Sequence, residues 1–191
     1  MKRRTLLKGL AVVPWMIVLA RTGRAAQHAG GTINVEELQQ NWKTYLAEDA
    51  DVVLTSEPLK RSEAEWKQML TPQQFEVLRR EGTERPFTSP LNDEKRPGVF
   101  VCSGCSLPLF TSAMKFDSGT GWPSFFTAIP DAFTTKRDFK LIWPRTEYHC
   151  ARCGGHHGHV FNDGPPPTGQ RWCNNGVALR FIPKAEQVEG A

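Results

Sequence analysis

The sequence predicts a mainly β protein: two antiparallel sheets clipped together by a group of four cysteines, with short helices at the N-terminal end. From residue 98 onward, short apolar or aromatic runs alternate with Gly, Pro, Asp and Ser, and no helical pattern separates them. This spacing is typical of antiparallel sheets and not of a parallel α/β fold. Four of the five cysteines form two Cys-x-x-Cys pairs within this region.

Residues 1–26 are typical of a targeting segment and are set aside for the fold prediction. Arg3 and Arg4 precede a mostly apolar stretch that is short for a membrane span and is interrupted by Lys8 and Pro14. The segment resembles a twin-arginine export signal and predicts a periplasmic or otherwise exported protein. An uncleaved N-terminal membrane anchor is the alternative, so cleavage of the signal is left open.

The charge of the chain depends strongly on this segment. Residues 1–26 hold six Lys and Arg and no Asp or Glu, so the 24 basic residues of the whole chain fall to 18, against 20 acidic ones. The remaining chain is therefore close to neutral, and its charge gives no support to nucleic-acid binding. Its length suits one domain with a substantial core.

Residues 27–56 are predicted to form a leader and an N-terminal helix. Asn34 is a candidate N-cap with Glu37 three residues later, and the helix is expected to run to Glu48. It is an open question whether this helix contacts a partner.

Residues 57–185 are predicted to form the main domain, and two further short helices open it. Capping signatures begin at Ser62 and Thr71, and Gly82 is expected to end the second of these helices. The strand candidates that follow are GVFVC, LPLF, FKLIW, EYHC, GHVF and VALRFI.

The two cysteine pairs predict a structural zinc site. The two-residue gap within each pair lets both thiolates face one ion, and four such ligands suit tetrahedral zinc. Two disulfides, or one redox-active Cys-x-x-Cys, are the alternatives. The predicted ligands are Cys102, Cys105, Cys150 and Cys153.

Cys173 is the cysteine without a partner three residues away. On a strand, Arg171 and Asn175 would share its face. A guanidinium lowers the pKa of a neighbouring thiol, and an amide can donate a hydrogen bond to an oxygen, so the set suits a nucleophilic thiolate. A small buried side chain without chemistry is the alternative for Cys173.

Histidines and one tryptophan complete the candidate site. Four of the five histidines lie between His149 and His159, where His156 and His159 are expected to project near one another as acid or orienting groups. The cluster could instead bind a metal. Trp122, framed by glycines and a proline in FDSGTGWPSF, would contribute an apolar wall for a small methyl-bearing group.

Several of these motifs together resemble the B-type methionine-R-sulfoxide reductases. They are GTERPF, VFVCSGC, PLF, KFDSGTGWPSF and RTEYHCARCGGHHGHVFNDGPPPTGQRWCNNGVALRF, which cover about residues 60–183. The resemblance implies that Cys173 attacks the sulfoxide sulfur and becomes a sulfenic acid while methionine leaves. It also implies that the four paired cysteines hold structural zinc.

The resemblance assigns roles to the other site residues as well. Trp122, Phe161 and His156 would pack the S-methyl group, and Arg171 would favour the thiolate. His159, His156 and Asn175 would hold water or donate a proton to the sulfoxide oxygen. The implied role is repair of oxidised envelope proteins, with protein-bound substrate preferred over the free amino acid.

The sequence departs from the family at four positions near the site and lacks one further cysteine. His157 replaces a leucine, Trp172 a tyrosine, Asn174 an aliphatic residue and Gly176 a serine, which puts substrate preference in doubt. Some members carry a resolving cysteine in the loop where this chain has Thr120. An external thiol or a thioredoxin-like dithiol protein is therefore expected to be the reductant, and the chain is expected to be a monomer.

Two other function classes compete with this interpretation. A zinc-clipped β module could bind a ligand in an aromatic cage without catalysis, and Cys173 would then be dispensable. A catalytic metal held by the histidine cluster would instead support hydrolysis or oxygen chemistry and would require a second metal per chain.

Overall fold

The structure is a computed structural model, which describes residues 33–139 and 144–184. The export signal, most of the leader, residues 140–143 of the FKLIW segment and the last residue of the predicted main domain lie outside the described residues. No helix within the described ranges is long and apolar enough to cross a membrane.

Among the described residues, three α-helices precede the sheets: α1 (Val35–Gln40), α2 (Glu63–Met69) and α3 (Pro72–Arg80). Ser62 and Thr71 form capping boxes at α2 and α3, as their sequence signatures predict. The structure therefore confirms short N-terminal helices in a mainly β protein.

Two helix ends differ from the prediction. α1 stops at Gln40, and a 3-10 turn at Trp42–Tyr45 replaces the expected continuation to Glu48. The left-handed residue that ends α3 is Glu81 (φ 56°), not Gly82. Glycine is the commonest residue in that conformation, but here the chain turns one residue earlier.

In the part of the chain that the structure describes, nine strands form two antiparallel sheets. Strands β1 (Gly98–Cys102), β2 (Pro108–Thr111) and β9 (Leu179–Pro183) form a three-stranded sheet in the order β2-β1-β9. The second sheet has the order β3-β4-β8-β7-β6-β5. Its strands are β3 (Lys115–Phe116), β4 (Ser124–Phe125), β5 (Phe133–Asp138), β6 (Arg145–Cys150), β7 (His156–Phe161) and β8 (Arg171–Asn174).

Aromatic side chains join the two sheets in the core. Phe110 of the first sheet stacks on Phe125 of the second with ring centroids 3.9 Å apart, and Phe100 meets Phe125 edge-on at 5.1 Å. All three side chains are fully buried. Pairs of this kind add attraction beyond the area that they bury. The packing holds β8, the strand that carries Cys173, next to β4 at the inner part of its sheet.

Candidate active site and cysteine cluster

The four paired cysteines meet where the two sheets approach. Cys102 ends β1 and Cys150 ends β6. A turn follows each of them and places the second cysteine of the pair, Cys105 or Cys153, next to the first. The cluster therefore joins the three-stranded to the six-stranded sheet, and the predicted clip between the two sheets is confirmed.

The spacing of the sulfur atoms suits a tetrahedral metal ion. Cys102 Sγ lies 3.7 Å from Cys153 Sγ, and Cys105 Sγ lies 3.5 Å from Cys150 Sγ. A tetrahedron with Zn–S bonds of about 2.3 Å has edges of about 3.8 Å. The distances are far too long for disulfide bonds, which require about 2.05 Å. The four cysteines are thus positioned to bind a metal such as zinc.

Cys173 occupies a different environment on β8. It pairs with His159 of β7 on one side and with Ser124 of β4 on the other. Gly158 allows β7 to approach this closely, because a Cβ atom there would lie 1.9 Å from the Cys173 carbonyl oxygen. The side chain of Cys173 is partly exposed, so a small substrate can reach its sulfur.

Opposing effects set the pKa of the Cys173 thiol. Burial raises it above its usual value, while the charge of Arg171, a hydrogen bond from Thr120 and a hydrogen bond from Arg171 lower it. Burial prevails, so the expectation that Arg171 favours the thiolate describes only one contribution. The resting group is a thiol, and the reaction must remove its proton.

Arg171 is held rigidly beside Cys173. Its Nε and Nη2 donate to the two carboxylate oxygens of Asp163 at 2.8 and 2.9 Å, and its guanidinium lies over the ring of Phe161 at 4.4 Å. The forked ion pair fixes the position of the positive charge.

His159 lies on the strand neighbouring Cys173, as the prediction of an acid or orienting group requires. Its Nε2 lies 2.9 Å from Asp138 Oδ2, and Asp138 also accepts from Arg145. Burial is the main cause that lowers the pKa of His159, although the hydrogen bond to Asp138 opposes it. His159 is therefore poised to accept a proton, with a carboxylate behind it that stabilises the imidazolium form.

His156 is near His159 but not in the cavity. The two rings lie 5.6 Å apart, which agrees with the expectation that they project near one another. His156 is nevertheless buried and faces Glu147 and His149, and it is absent from the walls of the cavity beside Cys173. The structure thus places His156 beside His159 but outside the walls of this cavity, and its predicted contact with the substrate methyl group stays a prediction.

Asn175 and Trp122 are both anchored to the backbone of Glu84. The Glu84 N–H donates to Asn175 Oδ1 at 3.0 Å, and Trp122 Nε1 donates to the Glu84 carbonyl at 3.2 Å. Asn175 also donates from Nδ2 to the carbonyl oxygen of His157. The strand prediction placed Asn175 on the face of Cys173, but β8 ends at Asn174 and Asn175 belongs to the following turn.

A cavity of about 190 Å³ opens beside Cys173. Trp122 and Phe161 supply its aromatic walls, while His159 and Asn175 add polar groups. The dimensions suit a small side chain with one apolar and one polar end, such as a sulfoxide carrying a methyl group. Of the predicted catalytic and substrate-binding residues, Arg171 and His156 do not line this cavity, whereas the others do: Cys173, His159, Asn175, Trp122 and Phe161.

Two of the unusual residues, His157 and Asn174, bind each other, and Asn174 also helps to line the cavity. Asn174 Oδ1 accepts from Tyr148 OH at 2.9 Å and from His157 Nδ1 at 3.2 Å. The His157 side chain is fully buried, and its ring is nearly parallel to that of Tyr148. His157 and Asn174 therefore replace apolar packing with a hydrogen-bonded network, and the His157 ring does not line the cavity.

Trp172 and Gly176 also fit their surroundings. The Trp172 indole packs among the aromatic rings of the core and donates to Gln170 Oε1 at 3.1 Å. A Cβ atom at Gly176 would lie 1.9 Å from Ser89 Oγ, so a serine at this position would force Ser89 or the turn to shift. The glycine and Ser89 are therefore a matched pair.

Sequence reasoning missed the residues that position the site side chains. Asp138 is the one buried residue at the end of an otherwise exposed strand, and no motif marks it. Asp163 and Glu84 both lie in motifs quoted from the sequence. Only the fold shows that Asp163 binds Arg171 and that Glu84 binds the backbone of the turn after Cys173. The i±2 relation on a strand could not have revealed these long-range contacts.

A partly exposed cysteine beside a fixed guanidinium, a carboxylate-bound imidazole and an aromatic cavity defines a thiol-dependent enzyme site. The family model described as "SelR domain" matches residues 70–183, more than half of the chain. The chain belongs to this family, that of the B-type methionine-R-sulfoxide reductases, and the resemblance noted in the sequence is confirmed.

Individual relatives agree with the family model. A protein of Agrobacterium fabrum named "Peptide methionine sulfoxide reductase MsrB" is 51% identical over 68% of this chain and 97% of that protein. Proteins of the same name from Methanosarcina barkeri and Pseudomonas putida are 48% and 55% identical over 72% and 63% of this chain, and over 97% and 91% of their own lengths.

Proposed function

We propose that this protein reduces the R epimer of methionine sulfoxide in proteins, with Cys173 as the nucleophile and an external thiol as the reductant. The observation that carries the proposal is the setting of Cys173, beside Arg171, opposite His159 and at the wall of a cavity with an aromatic side. The names of the relatives support the substrate class.

The first half-reaction moves one oxygen atom from the substrate to the enzyme. His159 accepts the thiol proton of Cys173, and the thiolate attacks the sulfoxide sulfur. The protonated imidazole then returns the proton to the sulfoxide oxygen. This oxygen moves to the sulfur of Cys173: its new bond to Cys173 forms while its bond to the substrate sulfur and the bond between the two sulfur atoms break. Methionine leaves, and Cys173 carries the oxygen as a sulfenic acid.

Substrate orientation follows from the walls of the cavity. Trp122 and Phe161 take the methyl group, which directs the sulfoxide oxygen towards His159 and Asn175. Only one configuration at sulfur then exposes the sulfur atom to Cys173, and this is the proposed basis of selectivity for one epimer.

The second half-reaction requires two thiols from outside the site. One thiol condenses with the sulfenic acid to give a mixed disulfide and water, and a second thiol releases Cys173 and forms the external disulfide. Thr120 is a hydrogen-bonding neighbour of Cys173 and has no sulfur to replace the first thiol. The four clustered cysteines are assigned to structural zinc and are not available either.

The biological setting is also a proposal. The N-terminal segment supports export, and methionine sulfoxide disrupts protein cores and interfaces until it is reduced, so repair of oxidised envelope proteins follows. For the oligomeric state, a monomer stays the prediction made from the sequence.

The test compares the zinc-loaded protein with Cys173→Ser on separate R and S epimers of a methionine-sulfoxide peptide, with dithiothreitol as reductant. Mass spectrometry should show methionine from the R epimer only, and none with the serine variant. Equal zinc content and thermal midpoint of the two proteins would confirm that only the chemistry was lost. No turnover of either epimer by wild type would instead favour a binding module.

A further inference from the structure

Three buried ligand atoms converge on one point beside the cysteine cluster. Glu147 Oε1 lies 3.3 Å from His149 Nε2 and 2.6 Å from His156 Nδ1, and all three atoms lie within 4.8 Å of one another. Glu147 and His156 are each 2% exposed. The proposed reaction assigns no role to this group.

None of these three atoms forms a hydrogen bond within the part of the chain that the structure describes. Glu147 Oε1 thus lies at ion-pair distance from His156 Nδ1 and His149 Nε2, but forms a hydrogen bond with neither. His149 Nδ1 lies 3.2 Å from the Gly154 carbonyl oxygen, so it must donate. In the neutral ring, Nε2 then directs a lone pair at a carboxylate oxygen, which is unfavourable without a cation between them.

The charges and protonation around the group suit a cation. Burial, the largest cause, lowers the pKa of His156 to about 4, so its imidazole is neutral at neutral pH. Lys136 binds Glu147 through the other oxygen, Oε2, at 3.3 Å and also binds Glu81 at 2.6 Å. Lys136 thus contacts Oε2 of Glu147, whereas Oε1 faces the two histidines.

We propose that Glu147, His149 and His156 form a second metal site, which binds Zn²⁺ through one carboxylate oxygen and two imidazole nitrogens. Two histidines and a glutamate are a common zinc donor set, with a fourth position open to water. Bond lengths of about 2.0–2.1 Å place tetrahedral ligand atoms about 3.3 Å apart. The contact to His149 already has that length at 3.3 Å, whereas the contact to His156 is 2.6 Å and would have to lengthen when the ion binds.

The site is distinct from the four-cysteine cluster and joins different strands. Glu147 and His149 lie on β6 and His156 begins β7, so the ion would link neighbouring strands. His149 also lines a polar cavity of about 290 Å³, which provides a route for the ion and its water ligand. His157 and His159 are not ligands of this site. It therefore differs from the metal site that the histidine cluster as a whole was considered to form.

The experiment measures metal content of the full-length protein equilibrated with Zn²⁺ and then passed through a desalting column. Mass-spectrometric metal analysis should give two zinc ions per chain for wild type and one for His149→Gln or Glu147→Gln. Glu63→Gln is the matched control, because Glu63 lines the same cavity without contributing a converging atom, and it should retain two. One ion in wild type, or two in both test variants, would overturn the proposal.

Cobalt spectroscopy separates the two sites. Co²⁺ added to protein with one zinc bound should give the visible d–d bands of a tetrahedral site without sulfur-to-metal charge transfer, and His149→Gln should abolish them. Thermal midpoints give a second readout. At a free Zn²⁺ concentration about 100 times the dissociation constant, the wild-type midpoint should rise by roughly 5–10 °C more than that of His149→Gln. Equal shifts in both proteins would contradict zinc binding at this site.

Discussion

The four clustered cysteines and Cys173 carry the same side chain in opposite surroundings. The four are buried among one another, and hydrogen bonding to the other three sulfurs and burial raise the pKa of Cys102 well above its usual value. Cys173 is partly exposed and faces a guanidinium, a hydroxyl and an imidazole. The first setting suits a metal ion, and the second suits a reaction.

The difference shows that neighbours, more than residue type, decide what a cysteine does. A thiolate in the cluster would meet other sulfur atoms and would require a cation to be stable. A thiolate at Cys173 would meet Arg171, which itself is held by Asp163. One position therefore stabilises the fold, and the other retains a reactive, accessible sulfur.

The largest expected effect is a difference in the free energy of unfolding between a substitution in the cysteine cluster and one at Cys173. Cys150→Ser should lower the free energy of unfolding by more than about 4 kcal/mol, because it removes a proposed zinc ligand. Cys173→Ser should lower it by less than about 1 kcal/mol, since a partly exposed sulfur is replaced by a similar atom. Urea unfolding and zinc content measure both. Similar losses for the two variants would show that Cys173 is also structural.

The cysteine clip could be predicted from spacing alone, and the reactive setting could not. Cys-x-x-Cys pairs place ligands locally, so the sequence pattern contains most of the geometry. The environment of Cys173 depends on Asp138, Asp163 and Glu84, which reach it from other elements. Strand alternation correctly placed Arg171 beside Cys173 but failed at Asn175, because the strand ends one residue earlier.

The histidine cluster shows a second limit of pattern reasoning. The register of β6 against β7 shifts between Tyr148 and His149, where β7 carries an additional residue. His157 therefore packs against the Tyr148 ring while His159 faces the cavity, although the two are separated by a single residue. No spacing in HHGH encodes this irregularity.

The next effect concerns the turn that follows Cys173. Gly176→Ser should cost about 2–3 kcal/mol, because the new Cβ meets Ser89 Oγ and the turn or Ser89 must move. Adding Ser89→Gly should recover most of that loss, since it removes the clashing atoms. Denaturant unfolding of both single variants and the double variant measures the coupling. A double variant as unstable as Gly176→Ser would refute the matched pair.

The smallest expected effect tests the electrostatic half of the comparison. Arg171 lowers the pKa of Cys173 against the larger opposing effect of burial, so Arg171→Met should raise it further. The acidic limb of the kcat/KM profile should then move to higher pH, with activity lost at neutral pH and recovered in alkaline solution. Arg171→Lys is the matched control: it keeps the charge but loses the fork to Asp163, and its limb should lie between the two. An unmoved limb in Arg171→Met would mean that the guanidinium only holds Phe161 and Asp163, and that His159 alone controls the thiol proton.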